Sequence, residues 1–357
     1  MMKVDGIVLG YAFVSSLVSA AGAFTTVNLQ IRNNLQHLSR TACTVLPTGD
    51  DHIIEPSDFQ DQHREHQDNS KRNLLKFLAN GVGASVVLPS FVSPALAMYT
   101  DPNSKILLPS EGEIQSSLPT TWDKDDNPFV DLDKSSFSRL DETPDTKFYQ
   151  DPRFTEHVDE QAVQSMTNFI ASNDVLKEND SVLDMCSSWT SHISPSTKAK
   201  YNLERVAGLG MNEEELKSNS ILNNDYTTVD LNTKPDVKLP YDDESFNVVL
   251  CQLSIDYLIH PLNIMREVGR ILKPGGKVII IFSNRLFLQK AVGLWTGKDD
   301  VDHVYTVASY LNYCQDGLFT KIMARDLSVR EKKKGRGGER MVVGDPLYAV
   351  IGEKASS

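Results

Sequence analysis

The chain has 357 residues, 36 Lys and Arg against 48 Asp and Glu, and a formal net charge of −12. That balance argues against broad nucleic-acid binding, which needs a basic surface. The length suits one globular domain of about 200 residues plus targeting segments and linkers. A hydrophobic content of 40% is enough for a packed core once those segments are set aside. The four cysteines, Cys43, Cys186, Cys251 and Cys314, form no CxxC pair, and no His/Cys cluster has zinc-ligand spacing, so no metal site is expected.

Residues 1–23 have Lys3 early, an apolar run from Ile7 to Ala20, and a small-x-small end, Ala21-Gly22-Ala23, before Phe24. That is the pattern of a secretory signal peptide. In residues 24–70, the stretch Thr25 to Thr48 carries Arg32 and Arg40 and no acid, a transit-peptide composition. In residues 71–97, Lys71, Arg72 and Lys76 precede an apolar run, Phe77 to Ala97, with Gly81, Gly83, Pro89 and Pro94 and an Ala95-Leu96-Ala97 end. Small residues and prolines favour a second, thylakoid-type cleavable signal over a permanent membrane span, although the run is about long enough to cross. Three signals in this order resemble the presequence of a thylakoid-lumen protein in an alga with complex, red-algal-type plastids. The expected location is the plastid, in the thylakoid lumen, with the stroma or a retained membrane anchor as alternatives. Residues 98–136 are polar and acidic, with Pro102, Pro109, Pro119 and Pro128, and read as a linker or an arm lying on the domain of residues 137–357.

Within that domain, Asp159 can cap a helix with Val163, Met166, Phe169 and Ile170 on one face. A strand at Ser181–Met185 follows, then a second at Arg205–Gly208. Asn212 with Glu215 three residues on is a capping box for an acidic-first helix. Tyr226–Leu231 reads as a third strand and Phe246–Leu250 as a buried fourth. Leu262, Met265, Val268 and Leu272 make one face of a helix that stops at Lys273-Pro274-Gly275-Gly276. Lys277–Phe282 is a fifth strand, apolar as a central parallel strand should be. Phe319–Ala324 and Tyr348–Gly352 can close the sheet as an antiparallel pair. Strands alternating with helices imply an α/β parallel sheet. Cys186 and Cys251 fall at the ends of neighbouring strands, which permits a redox pair, but small buried apolar residues are the favoured reading.

Leu239-Pro240-Tyr241-Asp242-Asp243-Glu244-Ser245-Phe246-Asn247-Val248-Val249, followed by Arg266-Glu267-Val268-Gly269-Arg270-Ile271-Leu272-Lys273-Pro274-Gly275-Gly276, resembles the centre of class I S-adenosylmethionine-dependent methyltransferases of the type 11 kind. The resemblance implies a Rossmann-like class I methyltransferase fold, with a mostly parallel seven-stranded sheet flanked by helices. Three further segments are similar to a smaller plastid and cyanobacterial group with a glycine-free cofactor loop. They are Arg139-Leu140-Asp141-Glu142 with Phe148-Tyr149 and Pro152-Arg153-Phe154; Cys186-Ser187-Ser188-Trp189; and Gly208-Leu209-Gly210-Met211-Asn212-Glu213-Glu214-Glu215-Leu216.

The family's first strand runs into a glycine-rich turn, because the backbone there approaches the cofactor and takes positive φ. In this chain Cys186, Ser188 and Thr190 hold the aligned glycine positions, with Trp189 between two of them. The resemblance places Asp184 near the methionine end of S-adenosylmethionine. Ser187 and Ser188 would supply hydroxyls, and Trp189 would pack beside the cofactor. The ribose-binding acid of the family aligns with Gly210. Asp230 stands where an acid contacts the adenine amino group, or is simply a turn-forming aspartate. Gln252, at the end of the fourth strand, completes the candidate cofactor set.

Methyl transfer is an in-line displacement in which the protein aligns the acceptor and, for weak acceptors, removes a proton. Beyond the fourth strand, Asp256 and His260 are the candidate catalytic groups. Asp256 reads more simply as the cap of the following helix, and His260 as a loop residue. Ser254 and Tyr257 lie beyond the same strand, and Ser283, Asn284 and Arg285 can line the same mouth; Asp302 and His303 open the next helical pattern, and His192 is an outside candidate close to the cofactor turn. The basic run Arg330 to Arg340 could hold an anionic lipid or protein surface, but reads more readily as a solvated hairpin loop. Two functions stay open. One is methyl transfer to a small-molecule or lipid acceptor; the other is a non-catalytic binding or assembly role on the same fold. Neither the acceptor nor the oligomeric state is legible.

Overall fold

In the computed structural model, residues 99–100, 107–332 and 340–356 are described. The three targeting segments and the centre of the basic run lie outside them. The central sheet has seven strands: β1 (Ser181–Ser187), β2 (Arg205–Gly210), β3 (Tyr226–Thr228), β4 (Phe246–Gln252), β5 (Leu272–Ser283), β6 (Phe319–Asp326) and β7 (Leu347–Lys354). Their spatial order is β3-β2-β1-β4-β5-β7-β6. β3, β2, β1, β4 and β5 pair in parallel, while β7 is antiparallel to both β5 and β6, as the sequence pattern anticipates.

The sheet is flanked by α1 (Glu160–Ile170), α2 (Pro195–Lys200), α3 (Glu213–Ser218), α4 (Pro261–Ile271) and α5 (Asp300–Tyr313). The strands are apolar at consecutive positions because both faces are covered. Val182, Val206, Val248 and Ile279 pack with Met166 and Ile170 of α1 and Leu216 of α3. Their neighbours Leu183, Ala207, Val249 and Ile280 pack with Ile264, Met265 and Val268 of α4 and Val304, Val307 and Leu311 of α5. Residues before the sheet join this second layer. Ile114 is buried, Trp122 stacks on Tyr305 with centroids 5.7 Å apart, and Phe129 on Tyr310 at 5.3 Å. No helix among the described residues is long and apolar enough to cross a membrane.

Three boundaries differ from the pattern for identifiable reasons. β1 continues past Met185 to Ser187 because a bulge at Cys186, with φ of 60°, lets Ser187 pair with Gly210. β3 stops at Thr228, and Asp230 turns the chain, its Oδ1 accepting from the Asn232 N–H at 2.8 Å. β5 begins at Leu272, directly after α4. Leu272 pairs with Phe246, and the register then shifts across Lys273 to Gly276, where Gly275 has φ of 73°. The stop signal is real, but it is absorbed into the strand rather than forming a separate turn.

Candidate cofactor crevice

Parallel α/β sheets bind ligands outside the carboxyl ends of their strands, where the order reverses. Here the reversal lies between β1 and β4, where Asp184, Ser187 and Gln252 gather. Asp184 is 1% exposed. Its Oδ2 accepts from the Ser187 and Ser191 hydroxyls, each at 2.6 Å, and its Oδ1 from Gln252 Nε2 at 2.9 Å. Burial pushes the Asp184 carboxyl above the usual carboxylate range, against the pull of those three donors.

Gln252 extends the network. Its Nε2 also donates to Ser191 O, so its Oε1 faces His192 Nδ1, 2.8 Å away. His192 Nε2 meets Glu156 Oε2 at 3.2 Å. Both ring nitrogens therefore face acceptors, which suits the imidazolium with two N–H donors. Burial opposes that charge, but the Glu156 hydrogen bond and charge, with help from Gln252, outweigh it and raise the ring's pKa. The sign follows by linkage. A raised histidine stabilises fully below its unfolded value, about pH 6.5, and this contribution fades as pH rises through the folded value. Thermal melts should therefore show a downward step above that pH which His192→Gln removes. A step of equal size in the variant would assign it to another group.

The loop after β1 is tighter than a glycine loop. Of the three aligned glycine positions, only Cys186 has positive φ, a strain of about 1 kcal/mol. Cys186 and Cys251 are both free. Cys251 is buried and hydrogen-bonded to Cys186, which together with burial raises its pKa. Ser188 Oγ donates to Glu215 Oε2 at 2.6 Å, and the Trp189 indole donates to Thr155 O at 3.3 Å. Trp189 also borders a shallow cavity of about 270 Å³ with Thr190, Pro195 and Asn219. The Gly210 Cα lies so close to Ser187 that an added Cβ would stand 2.1 Å from the Ser187 carbonyl oxygen.

Glu215 departs from the capping-box expectation. Asn212 does cap α3, its Oδ1 accepting from Glu214 N and Glu215 N at 2.9 and 3.1 Å. Glu215, however, gives its carboxylate to Ser188 and to the Arg153 N–H, 2.7 Å away, instead of reaching back to Asn212. Nothing local in the sequence marks it for that role.

The candidates beyond β4 take several environments. Asp256 does not cap α4, whose first turn follows His260 at the N-cap position. The Asp256 carboxyl is 4% exposed, its Oδ2 has no hydrogen-bond partner, and burial pushes its pKa up to about 7. His260 is half-buried, with its pKa lowered by burial. Ser254 Oγ donates to Gln252 O, and Tyr257 OH accepts from Phe287 N. Ser283 bonds Pro346 O, Arg285 pairs with Asp345, and Asn284 is buried. His303 stacks on Trp295 and bonds its carbonyl, while the Asp302 N–H bonds the Asp299 side chain at the start of α5.

The strand order, with one antiparallel strand inserted between β5 and β6, defines the Rossmann-like fold of class I methyltransferases. Residues 189–280 match the family model described as a methyltransferase domain. Over 92 residues it is 28% identical to the malonyl-[acyl-carrier protein] O-methyltransferase of Marinomonas sp. (strain MWYL1), a stretch covering 26% of this chain and 32% of that protein. The chain thus spans about a third of that relative's length. Among solved structures it is similar to the YcgJ protein of Bacillus subtilis, with 12% identity, TM-score 0.37, and coverage of 56% of this chain and 100% of that one. It is also similar to a SAM-dependent methyltransferase of Aquifex aeolicus, with 17% identity, TM-score 0.35, and coverage of 63% and 100%.

The crevice keeps only part of the family's set of contacts for S-adenosylmethionine. Asp184 has its carboxylate oxygens taken by three side chains of its own chain. There is no room for a ribose-binding acid at 210. The Asp230 side chain is engaged in its own turn. Among the described residues, no cluster of His, Cys, Asp or Glu could hold a metal ion.

Proposed function

We propose that this protein is an S-adenosylmethionine-dependent methyltransferase acting on a small-molecule or lipid acceptor in the plastid. The observation that carries the reading is the methyltransferase-domain match at residues 189–280. It falls on the segments that build the crevice: the loop after β1, Gly210, Asp230 and the end of β4. Two further features agree with it. The acid at the end of β1, Asp184, is kept, and the turn after it retains one left-handed residue, Cys186. The plastid location, and within it the thylakoid lumen, extends the proposal from the targeting pattern of residues 1–97. The mass of the mature N-terminus in cell extracts tests that extension.

The direct test is calorimetry of the full chain with S-adenosylmethionine and S-adenosylhomocysteine. Saturable binding of both is the expected result. Absence of heat and of any thermal shift at millimolar ligand would reject the enzyme reading and leave the non-catalytic role on the same fold.

A further inference from the structure

The crevice is crossed by the chain's own segment before α1. Residues 145–156 pass over the segments that follow β1, β2 and β3, and each of these gives the segment a bond. From the start of α3, Asn212 Nδ2 donates to Tyr149 O at 2.9 Å and to Gln150 O at 3.1 Å. Glu215 accepts from Arg153 N, Trp189 donates to Thr155 O, and His192 meets Glu156. After β3, Asn232 Nδ2 donates to Asp145 Oδ2 at 2.8 Å and to Tyr257 O at 2.9 Å. Burial raises the Tyr149 pKa, and the charges of Asp145, Cys186 and Asp256 add to the rise. The first turn of the segment is anchored by Arg139, 2.8 Å from both Asp145 oxygens, and by the fully buried Lys290, 3.4 Å from Asp145.

These bonds are nearly all polar. Between Ile114 and Val158 no hydrophobic residue belongs to the buried core, and Phe154 is 54% exposed. The segment's apolar contacts are half-buried: Phe148 packs on Phe287 with ring centroids 5.5 Å apart, and the Arg153 guanidinium lies 4.4 Å over the Phe148 ring. A segment held in this way opens locally before the whole fold does. Its bonds go to the segments that in this fold face a bound nucleoside: the loop after β1, the end of β2 and the turn after β3.

We propose that residues 145–156 are an internal occupant of the crevice, satisfying in cis the polar groups an adenosyl ligand would engage, so that the ligand enters by displacing them. The inference rests on the methyltransferase reading and adds to it a state in which Asn212, Glu215, Trp189 and His192 are released from the segment. It also accounts for the mismatch between the domain's ancestry and its closed strand ends. The segment is a competitor for the site rather than a lid that closes over a bound ligand.

Asn212→Ser isolates the point. The serine oxygen can still cap α3, while the two donors to Tyr149 and Gln150 are lost. Hydrogen–deuterium exchange and calorimetry with S-adenosylhomocysteine are run on the full-length variant and parent. The expected results are at least tenfold faster exchange of the 145–156 amides and at least fivefold tighter binding in the variant. In the parent, ligand should speed exchange at 145–156 while protecting 186–190. Three results would overturn the proposal: unchanged exchange in the variant, faster exchange with unchanged affinity, or protection of 145–156 by ligand, the mark of a closing lid. If exchange speeds up and neither protein binds, the methyltransferase reading falls with it. Binding of equal strength in both leaves that reading standing without the occupant. Glu156→Gln, which weakens the contact to His192, provides a second variant if Asn212→Ser unfolds.

Discussion

Gly210→Ala should destabilise the protein by on the order of 3 kcal/mol and lower its melting temperature by about 10 °C. The added Cβ would lie 2.1 Å from Ser187 O and 3.1 Å from the Ser187 carbonyl carbon, and both are backbone atoms. Neither can step aside cheaply, because Ser187 and Gly210 are ladder partners at the bulge of β1. Gly208→Ala, one strand turn earlier, is the internal comparison. Its Cβ would meet Leu222 Cδ1 at 2.4 Å, the flexible end of a side chain. The loss there should be visibly smaller. Thermal or urea unfolding of the two variants checks both values. Equal, small losses would mean that the loop lifts freely off β2, and the closed crevice would then be soft. The same contact explains why the family's ribose acid is missing: an aspartate at 210 would strike the loop before it reached a ligand.

Much of the fold was legible because it is written in local pattern. β1, β4 and β5 are consecutive apolar residues, and Asp159 and Asn212 stand where helix N-caps must stand, as their bonds to Ala162 and to Glu214 and Glu215 show. The left-handed backbone of the loop was legible only in part: of the three aligned glycine positions, Cys186 alone has positive φ, while Ser188 and Thr190 do not. What stayed hidden depends on partners distant in sequence. Glu215 fits a capping box by spacing, yet its bond is to Arg153, 62 residues away. Asp256 fits a cap by its place before a helix, yet burial leaves its Oδ2 without a partner. Tyr149 and Arg153 were visible only as part of a resemblance, with no physical reason attached, because segment 139–157 has no hydrophobic period to place it. Its route is set by polar bonds to groups that periodicity does not read.

Those polar bonds also separate two roles for the strand-end network, one ligand-facing and one architectural. The outer shell, made of Asn212, Glu215, Trp189 and His192, bonds the crossing segment. The inner shell, made of Asp184, Ser187, Ser191 and Gln252, bonds itself. Opening the crevice disturbs the first and leaves the second in place. A ligand entering would therefore meet a loop already rigid, and its binding energy would not be spent on ordering that loop.

The inner shell sets the second large effect. Asp184→Ala should cost on the order of 4 kcal/mol or more, and about 10 °C or more in melting temperature. The carboxylate is the common acceptor of three buried donors, and removing it leaves the Ser187 and Ser191 hydroxyls and the Gln252 amide to find partners within a small void. Hydrogen bonds to a charged acceptor are worth about 1.5–3 kcal/mol each, and a stranded buried donor costs about 1–3 kcal/mol. Asp184→Asn should be milder, about 1–2 kcal/mol. Its oxygen can keep the Gln252 bond while its NH₂ faces the two hydroxyls, provided they turn to accept. The amide is also neutral, so burial no longer penalises a charge there. The Ala variant should further bring the His192 ring back toward its ordinary pKa, because Gln252, once released, no longer holds its Oε1 against Nδ1. Melting curves of the three proteins, with the His192 ring resonance followed across pH, measure each part. Near-equal stability of parent and Ala variant would remove Asp184 as the organiser of the loop. It would also return Asp184 to the role the family resemblance gave it, a carboxylate held for a ligand.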